Sequence, residues 1–154
     1  MTYNIYMFTI RPAEEKDIPR LQELYHQLAS EPNKFVKAPI ADCRRVLQEI
    51  KKNSNYTLFV AEENGEVVGT TFLAILPGFA HTTRSFAVIE YVVVDEKCRR
   101  SGVGQKLTEA CLAKAKTAGC YKVMLASSKF RKWAHKFYRA MGFQEDALSF
   151  RYYF

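Results

Sequence analysis

Ser85-Phe86-Ala87-Val88-Ile89-Glu90-Tyr91-Val92-Val93-Val94, then Asp95-Glu96-Lys97-Cys98, then Arg99-Arg100-Ser101-Gly102-Val103-Gly104-Gln105-Lys106-Leu107, reads as a strand, a polar loop and the start of a helix. The first run is β-branched and aromatic, as strands are. The third opens an apolar pattern at helical spacing, Val103, Leu107, Cys111 and Ala115. A strand that feeds a tight loop and then a helix N-terminus presents unpaired N–H groups and the positive end of a helix dipole to one point. Gly102 and Gly104 let the backbone come close to a bulky anion. Arg99, Arg100 and Lys106 add positive charge. A pyrophosphate is the natural ligand of such a junction. A Walker A loop is excluded, because no Gly-Lys-Ser/Thr follows the second glycine. A dinucleotide fingerprint is excluded too, because Leu107 stands where a third small residue belongs.

Length and composition bound the rest. The chain has 154 residues, enough for one domain with a real core. It is 48% hydrophobic and 25% charged, ordinary for a soluble globular protein. It has no apolar run of about 18 residues, so no membrane span is expected. The start, Met1-Thr2-Tyr3-Asn4-Ile5-Tyr6-Met7, lacks the pattern of a secretory signal. Cys43, Cys98, Cys111 and Cys120 form no C-x-x-C pair and show no ligand spacing with His26, His81 or His135. They read as reduced thiols of a cytoplasmic protein that holds no metal. The net charge of +7 clusters at 97–100 and 129–132, which suits an anionic ligand or a solvated face. No nucleic-acid motif accompanies it.

Taken in order, residues 5–11 read as a strand closed by Pro12. Ile18, Leu21, Leu24, Tyr25 and Leu28 mark a helix over 15–29. Glu31-Pro32-Asn33 breaks it. A second helix starts near Pro39, with Val46, Leu47 and Ile50 turned inward. Strands follow over 56–62 and 66–76, joined by the hairpin signal Asn64-Gly65. Residues 77–84 are a loop. The central helix runs to Ala118 and stops at Gly119. A short buried strand is expected over 121–126, a helix over 131–141 stopped at Gly142, and a final strand or hairpin over 143–154. There are no internal repeats and no linker.

Arg99-x-x-Gly102-x-Gly104 after Val92-Val93-Val94-Asp95 resembles the acetyl-CoA loop of the GNAT N-acetyltransferase superfamily. The block Arg131-x-x-Ala134-x-x-Phe137-Tyr138-x-x-x-Gly142-Phe143 resembles that family's second CoA block, with Arg131 where Asn is common. The element order resembles the same fold over nearly the whole chain. Ile89-Glu90, Cys120-Tyr121-Lys122-Val123 and Phe137-Tyr138 look most like the glucosamine-6-phosphate N-acetyltransferase branch and its bacterial relatives. That branch carries Asp where this chain has Tyr91, so its substrate is not carried over. The resemblance implies an α/β (α+β) GNAT fold: one central mixed, mostly antiparallel sheet of six to seven strands with about four helices. It implies a single domain over 1–154, acetyl-CoA as cosubstrate and direct transfer to the primary amine of a small molecule. The alternatives are a protein or peptide lysine or N-terminal acetyltransferase, and a CoA-binding regulatory module without catalysis. A homodimer is allowed.

The chemistry implied needs a deprotonated amine, a carbonyl held in line, donors for the oxyanion, and a proton for the leaving thiolate. Glu90 is the base candidate: a lone carboxylate in an apolar strand, placed by the two-residue period on the face of Phe86, Val88, Val92 and Val94. Burial there would favour a proton-accepting carboxylate. The family places a phenol near the CoA sulfur, which makes Tyr138 the acid candidate. Val92, Val93 and Val94 would offer backbone groups to the pantetheine. Arg99, Arg100, Ser101, Gly102, Val103, Gly104, Gln105 and Lys106 would cradle the pyrophosphate. Arg131, Ala134 and Phe137 complete the expected cosubstrate contacts. Residues 30–38, with Phe35, form a candidate specificity segment. His81 reads as a solvated loop residue and the next base to test. His135 has no assigned role, and Trp133 reads as surface or interface packing.

Overall fold

A computed structural model describes residues 8–29 and 35–154. Its elements are β1 (Phe8–Pro12), a 3-10 turn at Glu15–Asp17, α1 (Ile18–Leu28), α2 (Ile40–Lys52), β2 (Tyr56–Glu63), β3 (Glu66–Leu76), β4 (Phe86–Val94), α3 (Val103–Thr117), β5 (Val123–Leu125) and α4 (Lys132–Ala140). The five strands lie in one sheet in the order β1-β2-β3-β4-β5. β1 through β4 are joined antiparallel. Residues up to Met124 form one compact unit, and residues from Leu125 form a second, smaller one. No described helix is long and apolar enough to cross a membrane.

Most boundaries follow from local chemistry. β1 stops at Pro12, which has no N–H to extend a ladder. Asn64 and Gly65 take positive φ values of 52° and 82°, the backbone that a two-residue hairpin requires. Gly119 and Gly142 end α3 and α4 with φ values of 73° and 89°. The expected break at 31–33 lies outside the described residues, as do residues 5–7 of the first strand.

Two corrections concern the strands. Five strands form among the described residues, fewer than the six to seven expected. Residues 143–154 hold no strand, and Leu148, Phe150 and Tyr152 are exposed. Aromatic propensity measures fit to a half-buried pleat, and these residues join no ladder. β5 is not buried either: Met124 is 45% exposed. It closes the sheet at an edge, where one flank has no neighbouring strand.

The sheet buries both faces. One packs Val60, Val67 and Val93 on Leu21 and Leu24 of α1 and Leu47 of α2. The other packs Ala61 and Val68 on Val103 and Leu107 of α3. α3 comes so close that a Cβ at Gly69 would stand 2.8 Å from Val103 Cγ1 and 3.2 Å from the Val93 carbonyl. Only glycine fits there.

The central irregularity is in β4. Thr70 pairs with Val93 and Phe72 with Glu90, so Thr71 alone opposes Tyr91 and Val92. This is a β-bulge. Tyr91 absorbs it with a left-handed backbone, φ 56°. The extra residue reverses the alternation. Glu90 shares the α1/α2 face with Phe72, and after the bulge Val93 takes that face. Val94 turns to α3. The two-residue period across Glu90, Val92 and Val94 is therefore broken.

α1 is tied to the loop after β4 through Asp95, which is buried. Asp95 accepts from Arg20, from Gln27 Nε2 at 3.3 Å and from Lys97 N–H at 2.8 Å. Arg20 also donates to the Val67 carbonyl at 3.0 Å, and Glu96 N–H donates to Gln27 Oε1 at 3.1 Å. Burial alone would push the Asp95 carboxyl up, but these donors outweigh it and hold the group below its ordinary range. A depressed carboxyl adds stability that is present above its unfolded value of 3.8 and is lost as pH falls through the folded value. Asp95→Asn should therefore lower stability at pH 7 by about 1.5–3 kcal/mol. The loss should shrink as pH drops below about 4. Urea unfolding at both pH values checks this; an equal loss at each would exclude an ionic role for Asp95.

Candidate active site

The loop and the start of α3, where an anion site is expected, are shaped by Gly102. Gly102 caps α3 with φ 91°, a conformation open to glycine and strained for any other residue. Arg100 also has positive φ, 65°. The first helical bond runs from Lys106 N–H to the Gly102 carbonyl at 3.0 Å. The N–H groups of Val103, Gly104 and Gln105 thus have no acceptor within the helix. A hollow of about 240 Å³ in the loop that precedes them is lined by Lys97, Arg99, Arg100, Ser101, Cys98 and Glu63. Three cations and free amides at a helix N-terminus suit a phosphate group. Ser101 donates its hydroxyl to the Cys98 carbonyl at 2.5 Å, which tightens the loop. Lys106 Nζ bonds Glu109 at 2.9 Å, and Gln105 bonds the same carboxylate at 2.8 Å. Their side chains lean along the helix, so what these positions direct at an anion is backbone.

Glu90 departs from expectation. It is exposed, so the desolvation assigned to it from the apolar strand is absent. The open cleft explains this. Glu90 sits directly opposite Phe72, and Phe72 and the next residue, Tyr91, both line an open cleft.

That cleft is what the sequence concealed. It measures about 840 Å³ and lies between the sheet and helices α1 and α2. Tyr25, Phe35, Val46, Ile50, Phe72 and Tyr91 stand along it. Val46 and Ile50, expected inward with Leu47, are the signal that could have found it. Only Leu47 is buried, and Val46 is 44% exposed. An apolar helix face that lacks a covering layer marks a wall. Phe35 lies in the cleft, as does Val36, while residues 30–34 of the specificity segment lie outside the described residues. Tyr25 meets the Tyr91 ring edge-on at 6.0 Å. Burial pushes its phenol up to about 12, against the opposing bond to Thr70.

In the second unit, α4 carries the other predicted residues. Ala134 is buried, and Arg131, Phe137 and Tyr138 are half-buried. The Tyr138 ring packs edge-on against Phe137 at 5.1 Å and Phe143 at 5.7 Å. His135 Nε2 lies 2.9 Å from the Ser128 carbonyl, a link between α4 and the turn before it. Trp133 is exposed. The structure thus groups Glu90, Val92–Val94 and Arg99–Lys106 in one unit, and Arg131, Ala134, Phe137 and Tyr138 in the other. His81, with φ 49°, stacks on Tyr121 at 4.5 Å. All four cysteines are free. Among the described residues no cluster of three or more His, Cys, Asp or Glu is placed to hold a metal ion.

A bulged strand that meets an open cleft, followed by a cationic glycine loop and a helix N-terminus, is an arrangement that an enzyme with a phosphate-bearing cosubstrate can use. The chain belongs to the GNAT acetyltransferase family, whose sequence profile matches residues 18–143 across both units. It is an acetyl-CoA-dependent N-acetyltransferase. It is 34% identical over 144 residues to a glucosamine 6-phosphate N-acetyltransferase of Trypanosoma brucei brucei, covering 92% of each chain. A solved glucosamine-6-phosphate N-acetyltransferase of Arabidopsis thaliana superposes with a TM-score of 0.83 at 29% identity, covering 96% of this chain and 99% of that one. A Bacillus halodurans protein described as a transcriptional regulator superposes at 0.88 with 28% identity, covering 96% and 100%.

Proposed function

We propose that the chain transfers the acetyl group of acetyl-CoA directly to the primary amine of a small molecule. The carrying observation is the junction in β4, where the bulge at Tyr91 opens the ladder one turn of loop before a cationic anion site. A bulge leaves backbone groups without ladder partners. The bulged backbone at Tyr91 and Val92, with Val93 and Val94 paired again to Thr70 and Gly69 just beyond it, would offer groups to the amide-rich pantetheine arm and the carbonyl oxygen of the thioester. The loop over Arg99–Lys106 takes the pyrophosphate, with Arg131, Ala134 and Phe137 as further contacts.

In the transfer the amine lone pair attacks the thioester carbonyl, the C–N bond forms and the C–S bond breaks. Glu90 receives the ammonium proton, directly or through one water. Tyr138 gives its proton to the departing thiolate. An exposed Glu90 suits the water-relayed route, because solvent reaches it. The amino-sugar relatives support a small amine rather than a protein acceptor. Release of free thiol from acetyl-CoA, measured against amines, amino sugars and peptides, tests the reading. Turnover of peptides alone would overturn it.

Gly102→Val tests the anion site. A Cβ there has room, with only Phe8 Cζ near it at 3.9 Å, so the fold should survive. The strained backbone and the branched side chain should raise the CoA dissociation constant at least about tenfold by calorimetry. An unchanged constant in a folded variant would refute the site. Tyr138→Phe keeps the ring and loses the proton. The kcat should fall about 10²–10⁴-fold with CoA affinity retained; full kcat with chemistry rate-limiting would rule out the acid role. Glu90→Gln should lower kcat/KM near pH 7 by about 10²-fold. The deficit should narrow towards pH of about 10, where free amine is plentiful. Superimposable pH–rate profiles of variant and wild type would make Glu90 structural and leave His81 as the next residue to examine.

A further inference from the structure

From the cleft we infer that the acceptor is a primary amine on an apolar body, an alkyl or arylalkyl amine, rather than a sugar phosphate. The inference rests on the acetyltransferase reading and names the substrate class of the same site. Four observations carry it.

The cleft has the volume of a small-molecule site, about 840 Å³. Its described walls are dominated by aliphatic and aromatic side chains from α1, α2, β2, β3 and β4. Two of its polar side chains, Gln22 and Tyr25, are committed. Gln22 Nε2 donates to the Ala38 carbonyl at 2.6 Å and to Cys43 Sγ at 3.3 Å. The Tyr25 hydroxyl bonds Thr70, whose own hydroxyl donates to the Phe59 carbonyl at 2.7 Å. A sugar brings a hydroxyl on nearly every carbon, and each one buried without a partner costs binding.

The charge of the lining has one sign. Its charged side chains among the described residues are Asp42 and Glu49, and no Lys or Arg lines it. Exposed Arg45 pairs with both, at 3.6 Å and 3.3 Å, from outside the lining. A phosphate ester needs cationic or N–H donors, and no Lys or Arg side chain stands among the described walls. Glu90 stands opposite Phe72 on the same sheet face and next to Tyr91, both of which line the cleft, so it brings a carboxylate to the border of that wall. A cationic head and an apolar tail match this layout: the ammonium at Glu90 beside the reacting carbonyl, and the tail along Phe72, Val46 and Ile50. Val46 and Ile50 belong to a helix whose apolar face has only Leu47 buried. A tail would cover what the protein leaves open.

The test uses the full chain with acetyl-CoA and a series of n-alkylamines, 2-phenylethylamine, glucosamine and glucosamine 6-phosphate. Each added methylene should raise kcat/KM about threefold to fourfold until the cleft is filled. The best amine should exceed glucosamine 6-phosphate at least tenfold. Val46→Lys, at a position already half-exposed, adds a cation to the wall. It should lower kcat/KM for hexylamine at least tenfold while CoA affinity stays the same. A flat chain-length series, or preference for glucosamine 6-phosphate, overturns the inference and leaves the acetyltransferase reading standing. Calorimetry of hexylamine with the CoA-loaded protein reads the cleft without any transfer. Binding that Val46→Lys weakens supports the apolar-amine site even if no thiol is released, in which case the transfer reading fails alone. No binding and no turnover of any amine overturns the inference.

Discussion

One extra residue in β4 sets the geometry on which the rest depends. A pleated strand sends successive side chains to opposite faces, and an inserted residue resets that alternation beyond it. Here Tyr91 and Val92 share the single partner Thr71. The consequence runs in both directions. Upstream, Glu90 and Phe72 point to the α1/α2 side, where the cleft opens. Downstream, Val93 stays in that core while Val94 turns to α3. Tyr91 accepts a backbone that few non-glycine residues adopt. Its ring remains 57% exposed at the cleft rather than packed in a core. Strain of this kind persists where the surrounding structure over-determines it, and four strands and two helices do so here.

The second constraint is the buried carboxylate at Asp95. It gathers donors from α1 and from its own loop. A buried carboxylate is tolerated only when its oxygens are satisfied. Satisfying them fixes where β4 ends and the cationic loop begins. The loop turns back on Asp95 through the Lys97 N–H, while Arg20 meets the carboxylate's charge and Lys97, Arg99 and Arg100 line one hollow. Rigid support under a charged loop keeps its free amides aimed at one point, and preorganised donors bind an anion at lower entropic cost. Asp17 repeats the device at the other end of α1, held by Arg11 Nη1 at 2.7 Å and by Glu14 N–H at 2.8 Å.

Much of this was legible in the chain. Gly-rich loop, strand and helix over 85–107 announce themselves because φ preference, β-branching and helical spacing act within a few residues. Asn64-Gly65, Gly119 and Gly142 fix their turns for the same reason. The two blocks that resemble the GNAT family gave the family, because glycine and aromatic positions within each block are set by local backbone and packing.

What the sequence could not carry was anything that depends on the partner across a gap. The bulge lies in the register between β3 and β4, and a register is a property of two strands; Glu90 read as buried because spacing shows its face and not the open cleft on that side. The apolar face of α2 read as core, because hydrophobic spacing shows which face is apolar and not what covers it. Val46 and Ile50 became the wall of a cleft only when α1 and the sheet set the distance. The aromatic tail over 143–154 read as strand, because propensity describes a residue's fit to a sheet and only tertiary structure supplies the neighbouring strand. Local chemistry determined the elements and the glycine loop; packing at a distance decided which side chains meet solvent along the cleft.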